Sequence, residues 1–270
     1  MPELPEMASR AREMKSELVG KTITAIQVLQ PKCLNLPPDE FAAALRGGTV
    51  LDVTHRGKWV RTETARGWLL LNLGMGGEIL LLPQGQLPPK RRVVLDLDDG
   101  QCLAINFWWF GYAHYAPTDG LNAHAMTAKL GVDALELTAA QLGALCRGQR
   151  QALKALLLDQ AKIAGIGNYY IHDILFRARL HPGRQARSLS ESEIARLTAD
   201  ILTVLGASLD KGGAFYELNL YGQPGGFRKD DTLIGYAEGK PCPICATPIE
   251  RIRTGSTQHF LCPKCQPVEG

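Results

Sequence analysis

The sequence predicts an α+β chain: a β-sandwich or barrel first, a helical domain after it and a metal-binding hairpin at the end. Three observations carry that expectation. Between Thr22 and about Pro117, short apolar runs are punctuated by Gly, Pro and Asp, the pattern of many short strands. Near residue 120 the texture changes to longer runs of helix formers with apolar residues at helical spacing. Four of the seven cysteines then crowd the end of the chain in two close pairs. With 270 residues, 45% hydrophobic and 21% charged, the chain has length for two domains and enough apolar surface for cores. No run of 18 apolar residues exists, so no membrane span is expected.

In chain order, residues 1–18 read as a helix, with Pro2 and Pro5 at its start and Ala, Met, Arg, Glu and Lys after them. Strands follow around Ile23–Val28, Val50–Val53, Trp59–Val60, Trp68–Leu73, Glu78–Leu82, Val93–Leu97 and Leu103–Phe107. One helix, Asp39–Arg46, is interposed, with Asp39 as its cap. Helices are expected at Ala125–Leu130, Thr138–Cys146, Gln151–Asp159, Tyr169–Phe176 and Ser190–Lys211. Ser190 with Glu193 is a capping-box pair. The domains expected are residues 1–118, 119–236 and 237–270.

Cys242 and Cys245 form one pair and Cys262 and Cys265 the other, with 16 residues between the pairs. Each pair can put two thiolates on one side of a tetrahedral ion, and the excursion is long enough for a β-hairpin. Two disulfides are the alternative, and they suit an exported chain. The start of the sequence has no basic stretch followed by an apolar one, so a cytoplasmic protein is expected. Four thiolate ligands leave no open position, so one structural Zn²⁺ is predicted. Cys33, Cys102 and Cys146 read as buried free thiols.

The formal charge is only +3, so any affinity for nucleic acid must come from a patterned face. Gln160 to Asn168, carrying Lys162 and the glycines 165 and 167, lies between two helical patterns. The glycines allow a tight turn with outward N–H groups, and Asn168 falls at the start of the next helix. A plain helix-turn-helix with a structural cap is the alternative. A basic run follows: Arg177, Arg179, His181, Arg184 and Arg187. Glu3 and Glu6 would repel phosphates unless they do chemistry. Removal of Met1 would leave Pro2 as a secondary amine, which is more often unprotonated near neutrality than a lysine. Such an amine can attack C1′ of a deoxyribose and form an iminium adduct, with Glu3 moving protons.

Several separate motifs then agree. Met1-Pro2-Glu3-Leu4-Pro5-Glu6, His55-Arg56-Gly57-Lys58, Leu73-Gly74-Met75-Gly76-Gly77, Gly165-Ile166-Gly167-Asn168 and the four-cysteine hairpin ending in Gln266 occur in that order. The chain resembles the formamidopyrimidine-DNA glycosylase and endonuclease VIII family over nearly its whole length. The resemblance implies an N-terminal β-sandwich with flanking helices, a helix-two-turn-helix module, a C-terminal zinc-finger hairpin and DNA in the cleft between domains. It implies excision of damaged bases from double-stranded DNA, then strand cleavage by β,δ-elimination. Pro2 is the implied nucleophile, Glu3 the general acid and Glu6 a supporting carboxylate. Lys58 is the implied catalytic lysine, which contacts a phosphate flanking the lesion and helps proton transfer. Asn168 is an implied phosphate contact, and Met75 the wedge that fills the place of the flipped base.

The sequence also departs from that family. Its second intercalation loop reads Asn106-Phe107-Trp108-Trp109-Phe110-Gly111, with Trp108 where the oxidised-purine branch has the arginine that reads the orphaned base. A Trp stacks rather than making bidentate contacts, so the opposite-base preference should be weak. In a run of four aromatics at least one, Trp108 or Phe110 among them, should face DNA or the domain cleft. The zinc hairpin carries Thr257 where the family has a phosphate-gripping arginine; Arg251 or Arg253 could compensate. Residues 211–227 occupy the family's base-capping region, with Glu217, Asn219 and Tyr221 as base contacts and Tyr236 as a phosphate contact or a packed aromatic. The expectation is a monomeric, nucleoid-associated glycosylase with lyase activity. An abasic-site lyase or damaged-DNA binder with little base excision is the alternative, and a zinc-ribbon regulator without chemistry is a third.

Overall fold

The computed structural model describes residues 1–108, 110–254 and 257–268, with only the backbone of Thr254 and Thr257. Two compact units form. One contains residues 1–129 together with 209–227, the other residues 130–208 together with the chain from 228 onward.

The first unit begins with helix α1 (Leu4–Leu18) and continues through β1 (Ile23–Val28), helix α2 (Pro38–Leu45), β2 (Val50–Arg56), β3 (Trp59–Thr64) and β4 (Gly67–Asn72). It then adds β5 (Glu78–Pro83), β6 (Val93–Leu97), β7 (Gln101–Asn106) and β8 (Tyr112–Ala116). The strands make two four-stranded antiparallel sheets, ordered β1-β6-β7-β5 and β2-β3-β4-β8. Val53, Val60, Leu69 and Leu71 of one sheet and Val93, Leu95, Leu103 and Ile105 of the other share a single core with Met7, Met14 and Leu18 of α1. That core makes the unit a β-sandwich with a helix on its flank, as the sequence predicts.

Three local readings need correction. Helix α2 starts on Pro38 after Pro37, and Asp39 lies in its first turn rather than at its cap; proline's fixed φ suits the first helical position. Residues 125–130 are turns rather than a helix. The His124 ring ties the stretch down through Thr127 Oγ1 at 2.9 Å and His114 at 2.9 Å. Finally, β8 closes the second sheet although its alternation is too weak to single out in sequence.

The second unit contains β9 (Val132–Asp133), α3 (Ala139–Cys146), α4 (Leu153–Leu158), β10 (Ile163–Ala164), α5 (Ile171–Arg177), most of α6 (Glu191–Asp210), β11 (Glu250–Thr254) and β12 (Thr257–Leu261). The expected Ser190–Glu193 box caps α6: Ser190 N–H donates to Glu193 Oε2 at 2.8 Å and Glu193 N–H to Ser190 Oγ at 3.3 Å. The hairpin of β11 and β12 packs on the helices. Phe176 of α5 shares an apolar cluster with Ile249, Phe260 and the cysteines. Lys154 Nζ donates to Gln258 O at 2.6 Å, and Gln266 Nε2 to Leu180 O at 2.9 Å. His172 and His259, both buried, meet through their Nδ1 atoms at 3.0 Å. Asp173 accepts from the N–H groups of Leu233, Ile234 and Gly235 at 2.9–3.0 Å, fixing the chain that leads into the hairpin. Among the described residues no helix is long and apolar enough to cross a membrane.

Candidate active site and nucleic-acid interface

The first turn of α1 buries two carboxylates. Glu3 and Glu6 are 3% and 4% exposed, and Pro2 is buried beside them. Burying a charge is costly unless hydrogen bonds satisfy it. Glu6 meets that condition: Oε2 accepts from Glu3 N–H at 2.8 Å and Oε1 from Ala214 N–H at 2.9 Å. It thereby fixes the backbone next to Pro2 and docks segment 209–227. Gly213 makes the close approach possible. Its φ is +95°, and a Cβ there would stand 2.9 Å from Glu6 Cγ.

The rest of that segment follows α1 by hydrogen bonds. Arg10, buried and ion-paired to Glu13, donates to Leu218 O. Glu13 Oε2 accepts from Leu220 N–H at 2.8 Å, and Tyr221 OH donates to Glu17 Oε1 at 2.7 Å. Asn219 Oδ1 accepts from the N–H groups of Tyr221 and Gln223 at 3.0 and 2.8 Å. The expected base contacts Asn219 and Tyr221 are therefore engaged in holding the segment. Glu217 turns toward the chain start, with Oε1 3.3 Å from the Met1 nitrogen. Burial pushes its carboxyl up to about 7, with the amine opposing that shift and Glu6 adding to it.

Lys58 stands in the two-residue turn between β2 and β3, the strands against which α1 packs. Asn72 Nδ2 donates to Lys58 O at 2.9 Å, and Asn72 Oδ1 accepts from Gly74 N–H at 3.0 Å. Asn72 thus joins the lysine turn to the loop of Met75. Met75 is 49% exposed, between Gly74 and Gly76 at φ +54° and +62°. Its carbonyl accepts from Trp108 N–H at 3.1 Å, so the two expected intercalating loops are stitched together. Trp108 is 61% exposed and Phe110 72%, with Phe110 at φ +55°. Phe107 is core, and Trp109 lies outside the described residues.

One element was missed in the sequence: the basic run Lys90-Arg91-Arg92. Lys90 Nζ sits 5.6 Å from the Trp108 ring centroid, and the three residues line a cleft with Asn106 and Trp108. The charge run itself was the available signal.

In the second unit, Asn168 is exposed in a turn, and α5 begins only at Ile171, so Asn168 does not cap it. The Gly165 N–H does not point outward; it donates to Gln160 Oε1 at 2.9 Å. Lys162 Nζ lies 3.4 Å from Asp159. The basic run is partly spent internally: Arg177 pairs with Asp200 at 3.0 Å, and Arg184 with Glu193. On the hairpin, Arg251 pairs with Glu238 at 3.1 Å while Arg253 is exposed. The Thr257 side chain lies outside the described residues. Tyr236 packs by stacking on Tyr169 at 6.0 Å and by ring contact with Phe260 at 5.1 Å.

The sulfurs of Cys242, Cys245, Cys262 and Cys265 all lie within 4.8 Å of one another, with separations of 3.5 to 3.8 Å for three of the pairs. Zn–S bonds of about 2.3 Å in a tetrahedron need sulfurs about 3.8 Å apart. The four thiolates fit one structural zinc ion. Cys33, Cys102 and Cys146 are buried free thiols, and burial pushes Cys33 up to about 11.

Comparison with known proteins agrees with this arrangement. The chain matches the formamidopyrimidine-DNA glycosylase N-terminal domain over residues 1–106, the formamidopyrimidine-DNA glycosylase H2TH domain over residues 130–218, and the zinc finger found in FPG and IleRS over residues 239–268. It is 37% identical to a formamidopyrimidine-DNA glycosylase of Pelobacter propionicus, covering 98% of this chain and 100% of that one. It is 35% identical to that of Edwardsiella ictaluri over the same shares. The Lactococcus lactis enzyme, solved in complex with DNA containing an abasic site, superposes with a TM-score of 0.90 at 25% identity, covering 98% of this chain and 99% of that one. The same enzyme with DNA containing an oxidised pyrimidine gives a TM-score of 0.89. With all three domains matched in order along almost its full length, the chain belongs to the formamidopyrimidine-DNA glycosylase family.

Proposed function

We propose that this base-excision-repair glycosylase works through Pro2, exposed as a secondary amine when Met1 is removed, and that it is also an abasic-site lyase. The Pro2 nitrogen bonds to C1′ while the C1′–base bond breaks and its electron pair leaves on the base. The nitrogen then gives up its proton, and its lone pair opens the C1′–O4′ bond as O4′ takes a proton from Glu3. The product is an iminium, which acidifies the sugar and permits β- and then δ-elimination of the flanking phosphates. Glu6 keeps Glu3 and Pro2 in place through the bonds described above. Lys58 contacts a phosphate beside the lesion, and Asn168, Lys162 and Arg253 contact phosphates elsewhere. Met75 fills the gap left by the flipped nucleotide, while Trp108 and Phe110 stack on the opposite strand. Zinc holds the hairpin and takes no part in the chemistry. We take the protein to act as a monomer on damaged double-stranded DNA in the bacterial cytoplasm, at the nucleoid.

The observation that carries this reading is the burial of Glu3 and Glu6 beside Pro2. A protein that only bound a polyanion would gain nothing from two desolvated carboxylates there. Borohydride trapping with intact-mass readout tests it, on duplexes holding an abasic site, 8-oxoguanine, formamidopyrimidine or an oxidised pyrimidine. Protein starting at Pro2 should form a covalent adduct, and Pro2→Gly and Glu3→Gln should each trap far less. An adduct in a Pro2-first protein that is unaffected by either substitution refutes the assignment. Trp108 at the position of the base-reading arginine favours a second reading, a lyase with little base excision. Release of no free base from any damaged duplex, with trapping at the abasic site intact, would select it.

A further inference from the structure

Glu217, expected from the sequence as a base contact, instead faces the start of the chain. It lies on segment 209–227, is 8% exposed, and its backbone is held from both sides: its N–H donates to Ala214 O and its carbonyl accepts from Gly225 N–H, each at 3.0 Å. These bonds fix where the side chain starts, and the side chain is buried. Its carboxylate meets the Met1 nitrogen at 3.3 Å. The other charged groups acting on it are Glu6 and Arg10 of α1. Glu6 already accepts two backbone N–H groups, and Arg10 is committed to Glu13 and Leu218 O. The terminal amine is the group with which the Glu217 carboxylate forms an ion pair.

We propose that Glu217 is the proton partner of the Pro2 amine, a third carboxylate that orients the nucleophile and accepts its proton before attack. This rests on the reading of Pro2 as nucleophile. Loss of Met1 moves the chain's first nitrogen by one residue, about 3.8 Å along the backbone, a distance that a glutamate rotamer or one bridging water spans. The step balances simply: the ammonium of Pro2 gives its proton to the Glu217 carboxylate, leaving a neutral amine and a neutral carboxylic acid. Burial pushes the Glu217 carboxyl up to about 7, close to the ordinary α-amine value of about 8, so the transfer is close to balanced. An ordinary exposed glutamate would hold the proton too weakly to leave the amine free.

The test reads the amine directly, in full-length protein processed to start at Pro2 and verified by mass. Of the 16 prolines, only the terminal one is an amine, so its ¹⁵N signal in proline-labelled protein is distinct. Glu217→Gln should lower the pH at which that signal titrates by about one unit or more, a tenfold change in the proton equilibrium, because the ammonium loses its counter-charge. Glu217→Asp should restore most of the shift. The half-maximal pH for borohydride trapping at an abasic site should move in step. In the wild type, the Glu217 side-chain carboxyl ¹³C titration should inflect together with the Pro2 signal, which keeps the test open even if the Gln variant does not fold. Independent inflections in the wild type, or a Pro2 titration unchanged in folded Glu217→Gln, overturn the proposal. Coupled titration in a protein that traps no adduct would uphold this pair and remove the nucleophile assignment instead.

Discussion

Replacing Gly213 by alanine tests whether the docking of segment 209–227 builds the active site. Two costs follow from the structure. The residue sits at φ +95°, where an L-residue pays about 1–2 kcal/mol. The new Cβ would also stand 2.9 Å from Glu6 Cγ and 3.1 Å from Glu6 Oε1. Glu6 cannot yield freely, because both its oxygens accept backbone N–H groups. Moving it sacrifices the bond from Ala214, worth about 1.5–3 kcal/mol for a charged acceptor. The sum is about 2.5–5 kcal/mol, or a fall of roughly 5 °C or more in melting temperature for a protein of this size. Gly212 supplies the control. Its φ is +74°, but a Cβ there meets only Ser9 Oγ at 3.9 Å, so Gly212→Ala pays the backbone cost alone. Calorimetry on both variants should show Gly213→Ala melting clearly lower. Its rate of adduct formation at an abasic site should fall at least about tenfold, since Glu6 would no longer hold the backbone beside Pro2 (each 1.4 kcal/mol of lost positioning is a factor of ten). Two variants that melt and react alike would refute the reasoning.

Three further outcomes are expected. Binding to a duplex with a stable abasic analogue should differ little among the four opposite bases, and Trp108→Ala should weaken it by the worth of one stacked base, about 1–3 kcal/mol; a strong dependence on the opposite base in titrations would contradict the stacking role. Chelation, or Cys262→Ser, should release one zinc per chain in a colorimetric assay and lower the melt of the second unit while leaving the sandwich melt in place; a single melt unchanged by metal loss would count against a structural ion. His172 and His259 are buried, and burial first of all lowers them to about 3 and about 2. The unfolded chain therefore binds protons below about 6.5 that the folded one refuses. The second unit should lose stability as pH falls from about 6.5 toward 3, and His172→Phe should flatten that slope in denaturant titrations across pH.

What could be read from sequence depended on how local the physics was. The amine, Glu3 and Glu6 lie within one helical turn, and each cysteine pair spans four residues, so neighbours in sequence are neighbours in space. The sandwich strands were legible for the same reason, as short apolar runs punctuated by Gly, Pro and Asp. Asn168 was expected at the cap of the next helix, but α5 begins only at Ile171, and the Gly165 N–H expected to point outward is taken by Gln160, five residues earlier; no periodicity reports a side chain reaching across a loop. The docking of segment 209–227 escaped notice for a different reason, although its signal was present. Glu6, Arg10, Glu13 and Glu17 recur at helical spacing on one face of α1, and a charged stripe of that kind is ordinarily a solvated face. Here the same stripe binds backbone groups and a tyrosine hydroxyl of a segment two hundred residues away. The segment joins the sandwich core through Leu220 and also buries Ala214 and Phe227. Its exposed backbone groups need hydrogen bonds as well, and charged acceptors and donors make the stronger ones. The glycines that expose its backbone and the charges of α1 that grip it are therefore one device, and it places Glu217 at the start of the chain.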